Sequence, residues 1–576
     1  MKLNMGRYDL ILLATAATAL FATIFNSYHL PLGFDLYHNL IIALIVSIGL
    51  VGYFFTYSKD ILIPSSIITW ILILALIIIQ PFINTISYPD YLIFPIGTLV
   101  LTIVFSIAIA NIEDKHSFLN RYLIILIGCM LLSLAIQLMQ MRGYKLSYSE
   151  FVIFPSSGTR FDANFTQPNQ AAFMFALSEL ACLYFYYLKK SKIWMLCCAL
   201  SIIGIALTTS RGGLIMGIAA LIFFNIFYDQ SLIKKAKNIF YQLFGFTTIY
   251  FFGVFVYKNF RISASQSMSA VERLGKGSDA RISFQEQAYY MFQDNPLTGH
   301  GWGTFSKGGI EYANELGVIQ FTKHSHLFVT QIASELGILG LLCLVPVTIY
   351  VIKKLSFKMD SYSAICFTMI LIVVLYSCSE FPLWFLRFLI IFAVFATLIE
   401  DRFLLIKAAY SKVLTTITII CSILVIFYIS SYLTIYDSIK YLATNDVSDK
   451  MVEEIYANTP DVFGMSAFKE SILFHYIAID KNAIEEKLTI AERVTATSVT
   501  QRNLFRYARL LALNNEYEKS VAIFKVSCAI NWKGNCDKVI NELKIITEKD
   551  PEVYKDISYK IEKWAIDFNS KDSYKL

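Results

Sequence analysis

Charge is scarce in this chain. Only 16% of its 576 residues are Asp, Glu, Lys or Arg, whereas a soluble domain carries about a quarter. A water-soluble globule is therefore excluded. Nucleotide-handling signatures are missing too. No G-x-x-x-x-G-K-[ST] segment and no D-x-D occurs, so neither a phosphate-cradling loop nor a nucleotide-sugar/metal site is indicated. No C-x-x-C pair occurs, and no histidine or cysteine set has zinc-ligand spacing. No metal and no cofactor are expected. Eight of the ten cysteines lie in or beside apolar runs, where a thiol is most simply a small hydrophobe. Cys528 and Cys536 stand in a polar tail and can close a local disulfide in an oxidising compartment.

Hydrophobic residues make up 56% of the chain. They recur in runs near 20 residues, the length that crosses a bilayer as a helix. The expectation is an all-α polytopic membrane protein of about thirteen spans: 10–28, 38–57, 61–80, 91–110, 121–140, 169–187, 193–208, 212–228, 239–257, 326–352, 361–377, 381–399 and 413–435. The chain divides into a transmembrane domain, 1–435, with a long loop at 258–325, and a soluble helical domain, 436–576. Met1–Phe25 has the charge and apolar pattern of a signal peptide. With so many spans after it, it reads as a retained anchor.

Lys and Arg set the orientation. One set of short loops holds seventeen of them and the alternate set holds four: Arg142, Lys145, Arg160 and Arg211. The rich set belongs inside. The N-terminus is then cytoplasmic, and the long loop and the tail face outward. Arg160 and Arg211 stand outside with no topological reason to be there. The tail balances 20 basic against 22 acidic residues, so nucleic acid is not a partner by charge. Its segment 501–529 reads as a helical hairpin of tetratricopeptide-like character with no fixed 34-residue period.

Several polar groups gather at the outer mouths of the spans. His324 and His326 flank Ser325 where a polar segment meets an apolar one. Such a pair is either a proton acceptor or a polar helix start with Ser325 as N-cap. Arg211, in Thr208–Gly213, can grip a phosphate through its planar fork or snorkel to headgroups. Asn164, Gln167, Asn169 and Gln170 form a sugar-like hydrogen-bonding set around Pro168, which suits a first helical turn; capping is the plainer reading. Trp302 sits among alternating glycines with His300 as a turn residue, and its ring can stack on a sugar. Glu380 and Arg387 are an acid and a base at a membrane mouth, expensive unless used or paired with each other.

The order of these motifs resembles the O-antigen ligase/polymerase superfamily. Within it, the likeness is to the bacterial O-oligosaccharyltransferases that glycosylate pilins and other exported proteins. Asn164–Gln170 is similar to a Gly-Asn-x-x-Gln-Pro-Asn-His stretch, with Ala163 for Gly and Gln170 for His. Ser210-Arg211 matches a short outer turn. Asn295–Gly303 matches a Pro-Leu-x-Gly-x-Gly-Trp-Gly loop preceded by an arginine, here Arg281. His326 with Gly337 and Gly340 matches the catalytic histidine region, and Leu327 departs from the amide or hydroxyl usual there. Glu380-Phe381-Pro382-Leu383-Trp384 resembles Glu-Tyr-Pro-Leu-Trp of the protein-glycosylating branch.

The resemblance implies transfer of a preassembled glycan from undecaprenyl pyrophosphate to Ser or Thr of a periplasmic protein such as type IV pilin, at the bacterial inner membrane. It implies His326 and His324 as the catalytic pair and Arg211 and Arg281 as holders of the pyrophosphate. Arg160, Asn164, Gln167, Asn169, Trp302 and Glu380 are then substrate-binding. The partners are the lipid-linked oligosaccharide, the acceptor protein and membrane lipid. An O-antigen ligase or Wzy-type polymerase acting on a glycan or lipid acceptor is the alternative enzyme. A lipid-oligosaccharide flippase would call for polar residues at mid-membrane and an internal repeat; it is the less favoured reading, because no clear repeat is seen and the notable polar groups gather at one face. A receptor would leave the outer Arg and His positions unexplained.

Overall fold

The computed structural model describes residues 5–26, 34–143, 160–261, 270, 280–318, 320–445, 448–530 and 535–569. All of 144–159, Lys145 included, and 262–279 except residue 270 lie outside the described residues. Helices dominate. Among the described residues, eight helices are long and apolar enough to cross a membrane, and the bent pair Phe328–Cys343 plus Val345–Lys354 makes a ninth. Four shorter apolar helices, Lys192–Leu207, Arg211–Phe227, Ser361–Ser377 and Leu386–Leu398, fall where further spans were expected. The protein is a multi-pass membrane protein, and among the described residues eight or nine spans meet the criterion of length and composition.

The expected third span begins differently. Ile61–Pro64 is a β-strand, paired antiparallel with Phe403–Ile406, and the apolar helical run starts only at Ser65. A short apolar run does not by itself distinguish strand from helix. Here Phe403–Ile406 supplies a paired edge, and Asn111 ties it further by accepting from Leu62 N–H (2.8 Å) and donating to Leu62 C=O (2.8 Å).

Cα packing divides the chain into two compact units. The first comprises Met1–Ile71, Gly97–Gly277 and Pro346–Ile429. Its centre is helix Pro168–Lys189, in which every residue from Gln170 to Phe185 is buried. A helix apolar on all sides belongs inside a bundle. Helices Lys115–Met141, Lys192–Leu207, Arg211–Phe227 and Ser361–Ser377 pack around it. Small residues allow the closest approach: a Cβ on Gly213 would lie 2.4 Å from Ala172, and one on Gly204 would lie 2.4 Å from Phe175. Helix Leu232–Phe260 is the opposite case. Only 17% of its apolar window is buried, against 83% for Pro168–Lys189, so most of its apolar surface is left unpacked by the rest of the unit.

The second unit joins Leu72–Ile96, Ser278–Val345 and Ser430–Leu576. Its tail carries the expected hairpin as helices Gln501–Leu513 and Tyr517–Ala529, followed by the pair Asn535–Lys549 and Pro551–Asn569. Phe505, Ala508, Phe524, Val539, Leu543 and Ile561 form their core, and Cys528 and Cys536 are joined as a disulfide inside it. Two other segments of the unit are fastened to the tail. Asp90 accepts from Gly464 N–H (2.9 Å) and Ser466 Oγ (2.6 Å), and Tyr88 donates to Glu470 (2.8 Å). Ala313 packs among Val499, Leu504, Val526 and Ile530.

Candidate functional site

The candidate residues fall into two clusters, one in each unit. In the first unit, Asn169 is the hub. Its side-chain oxygen accepts from Ser210 Oγ (2.7 Å) and Arg160 Nη2 (3.2 Å), and its nitrogen donates to Glu380 Oε1 (2.7 Å). Arg160 also donates through Nε to Thr208 C=O (3.1 Å). Local rules explain the placement. Pro168 opens its helix, where a missing N–H costs nothing, and Gln167 caps it by accepting from Gln170 N–H (2.8 Å). Ser210 caps the next helix by accepting from Gly213 N–H (3.0 Å). Arg211 is therefore the first helical residue, beside the hub and half-exposed.

Four of the expected substrate residues and Arg211 are thus tied into one polar patch or its flank. Asn164 is fully buried ahead of Pro168. Beneath the 161–163 stretch, Gln137 donates to Phe161 C=O (2.8 Å), and Gln140 both donates to Ala163 C=O (2.6 Å) and accepts from its N–H (3.0 Å). This clamp holds Ala163 at a left-handed φ of 51°. Between them lies Asp162, to which sequence reasoning assigned no role. Burial pushes its carboxyl up to about 7, against its own backbone N–H, the Gln140 amide and the Arg160 charge.

Glu380 and Arg387 do not pair with each other. Glu380 serves Asn169, whereas the buried Arg387 donates to Asp35 (2.5 Å), Gln170 (2.9 Å) and His38 Nδ1 (2.8 Å). Pro382–Trp384 forms a 3-10 turn between them, so they do not share a helix face. An arginine only donates, so His38 Nδ1 must present its lone pair. Gln170, where the superfamily has histidine, is held by this arginine.

In the second unit, helix Ala280–Asp294 lies against helix Phe328–Cys343. Phe284 stacks on His326 with ring centroids 5.2 Å apart and planes 19° from parallel. Arg281 precedes Phe284 by one turn on the same side of that helix. Gln285, one residue on, donates to Ser325 C=O (2.6 Å) and accepts from Thr330 Oγ1 (2.8 Å). His326 itself is left-handed, φ 60°. That conformation costs a non-glycine residue about 1–3 kcal/mol and persists only where surroundings enforce it. Ser325 is not the N-cap. Leu327 occupies that position without a side-chain bond, and Ser325 Oγ instead donates to Leu327 C=O (2.9 Å). His324 is half-buried, and desolvation, aided by the His326 and Lys323 charges, pushes its ring down to about 3. It stays neutral at ordinary pH.

The helix that His326 introduces is broken at Gly337, φ 65° and ψ −159°. The glycine-rich loop is spliced into the break. Ile338 and Leu339 N–H leave their own helix and donate to Pro296 C=O (2.8 Å) and Leu297 C=O (3.2 Å). The carbonyls they vacate, on Ser334 and Glu335, accept from His300 N–H (3.0 Å) and Gly301 N–H (2.9 Å). These four groups displaced by the kink each find a loop partner, as buried backbone groups require. Gly299, φ 66°, has no room for a side chain: a Cβ would lie 2.3 Å from Glu335 C. His300 is a turn residue, its Nε2 bonded to Met291 C=O (2.9 Å). Trp302 is half-exposed on the loop. Gln80 and Glu335, neither singled out by the sequence, complete the splice: Phe305 N–H donates to Glu335 Oε1 (3.1 Å), and Trp302 N–H donates to Gln80 Oε1 (2.7 Å).

Residues 196–345 match the family model described as O-antigen ligase. That segment contains Arg211, Arg281, Trp302, both histidines and Gly337. The resemblance read from the motifs is borne out there. The chain is also similar to the General O-oligosaccharyltransferase of Acinetobacter baylyi, 22% identical over 370 residues. The match covers 62% of this chain and 64% of that relative, just under two thirds of its length. The oligosaccharyltransferase branch is thus supported beside the O-antigen ligase family. Arg160, the Asn164–Gln170 stretch and Glu380 lie outside the matched O-antigen ligase segment.

Proposed function

We propose that this chain is an O-linked oligosaccharyltransferase of the bacterial inner membrane. It moves a preassembled glycan from undecaprenyl pyrophosphate to Ser or Thr of periplasmic proteins such as type IV pilin. The observation that carries the reading is the setting of His326: a strained backbone and a ring stacked on Phe284, whose own helix carries Arg281 one turn before it, all within the O-antigen ligase segment. The relative's name, an O-oligosaccharyltransferase, supports the oligosaccharyl-transfer branch.

The acceptor hydroxyl oxygen attacks the anomeric carbon. The bond from that carbon to the pyrophosphate oxygen breaks, and undecaprenyl pyrophosphate leaves with the electron pair. His326 takes the hydroxyl proton as the bond forms. His324, held neutral, orients its neighbour rather than storing a proton. Arg211 and Arg281 stabilise the charge that grows on the leaving group, and Arg binds phosphate bidentately. Asn169, Arg160, Glu380, Asn164 and Gln167 offer the hydroxyl-binding groups a glycan requires, and Trp302 offers a stacking face. Anchoring the donor in the membrane and the acceptor at its surface supplies proximity. In this reading all thirteen apolar segments cross, the N-terminus is cytoplasmic, and the 258–325 loop and 436–576 tail are periplasmic.

Co-expression with a lipid-linked glycan pathway and a pilin tests it. Intact mass should show the pilin heavier by one glycan; an unmodified pilin beside a consumed donor would count against protein transfer. The family description also fits an O-antigen ligase. That activity would appear instead as glycan on lipid A-core in the same cells.

A further inference from the structure

We propose that Gln80 is a positioning residue for the glycan-stacking loop; this rests on the transfer reading above. Gln80 is the first residue after helix Ile68–Ile79 and opens the 3-10 turn Gln80–Phe82. It is fully buried. Its amide is used on both sides. Nε2 donates to Glu335 C=O (2.8 Å) and Thr298 C=O (3.3 Å), and Oε1 accepts from Trp302 N–H (2.7 Å). One side chain therefore touches the broken helix and the loop spliced into it.

The kink explains why an amide is needed. Glu335 C=O lost the Leu339 N–H when the helix broke, and Gly301 N–H replaces it. A carbonyl has a second lone pair, and Gln80 fills it. Trp302 N–H faces the opposite need. Gly301 and Gly303 on either side hold φ of 109° and 82°, which turns that N–H out of the loop's own hydrogen bonding. No apolar residue satisfies both groups, and an unsatisfied buried donor is costly. Ile86, from the same segment as Gln80, closes the other side: a Cβ on Gly301 would lie 2.9 Å from it. With its backbone gripped this way, Trp302 is left half-exposed at a set height, which a ring that must stack on a sugar requires. Gln80 reaches no substrate in this role. It acts through Trp302.

The test uses the full-length protein in detergent or vesicles with purified lipid-linked donor. Gln80→Leu keeps the volume and removes both functions. It should raise the donor KM by about tenfold, the worth of one to two hydrogen bonds, with kcat little changed. Combined with Trp302→Ala it should add nothing to the worse single variant, because coupled residues are not additive. Gln80→Glu should approach wild type as pH falls, since a protonated carboxyl regains the donor toward Glu335 C=O. Hydrogen exchange of the 299–304 peptide, faster in Gln80→Leu, reads loop placement without any turnover. Unchanged KM with unchanged exchange, or a loss additive with Trp302→Ala, would overturn the proposal. A wild-type protein inactive on every donor sinks the transfer reading alone, and the exchange arm still decides whether Gln80 holds the loop.

Discussion

Gly337→Ala is the sharpest perturbation the helix break allows. At φ 65° and ψ −159° the backbone occupies a region essentially reserved for glycine, worth about 1–3 kcal/mol against any other residue. The added methyl would also lie 2.4 Å from Leu297 C=O and 2.7 Å from Gly299 N. Both are backbone atoms of the spliced loop, so neither can swing aside. Forced overpacking of that kind costs a further 1–3 kcal/mol, roughly, which puts the total at about 2–6 kcal/mol. The protein has one escape. Alanine favours helical angles, so the helix can straighten, Ile338 and Leu339 can recover Ser334 and Glu335 as acceptors, and the loop is expelled. Either outcome removes the loop from its seat. Thermal unfolding in detergent should show a lower midpoint, hydrogen exchange should rise across 296–303, and glycan transfer should fall at least tenfold. Gly128→Ala is the control: that helical glycine has nothing within 4 Å of a new Cβ, and the change should be neutral or stabilise by roughly 0.5–1 kcal/mol. A Gly337→Ala protein with wild-type midpoint, exchange and activity would refute the splice as a structural requirement.

His326→Ala should abolish transfer while the protein still inserts and is recovered from membranes; full activity would remove the proton-accepting role. Arg211→Lys should be severely impaired, because an ammonium lacks the bidentate fork, and wild-type rates would leave only headgroup snorkelling. Reporter fusions after Ser210 and near the C-terminus should both give the periplasmic signal, and a cytoplasmic signal at either would break the orientation. In the tail, burial and then the Arg502 and Arg506 charges push His475 down to about 4 from 6.5. The unfolded chain therefore takes up that proton first as pH falls. The contribution is intact above pH 6.5 and is lost progressively toward 4. Thermal midpoints across that window should fall less steeply in His475→Gln than in wild type, and parallel slopes would count against the assignment.

The apolar segments were legible because span length is a local property of composition, and each expected span meets an apolar helix. The helical hairpin of the tail was legible for the same reason, from periodicity within one stretch. So were Pro168 opening its helix and His300 as a turn residue, which local backbone chemistry dictates. The alternative of Ser325 as a cap fails because sequence gives no φ, and the left-handed turn at His326 delays the helix to Phe328. The alternative of a Glu380–Arg387 pair falls for a related reason: Pro382 opens a 3-10 turn between them, and helical spacing no longer applies.

The sequence by itself determined the class of molecule, the run of apolar helices and the residue types that stand at their ends. Charge scarcity and apolar length suffice for that, since lipid admits few backbone arrangements. Only the tertiary structure decided what the polar residues do. Asn169 and Glu380 stand 211 positions apart, and Gln80 and Trp302 stand 222 apart. No local rule joins such pairs. The Gly337 spacing could be counted, but its purpose could not: a helix is broken there because a distant loop supplies the hydrogen bonds that the break removes.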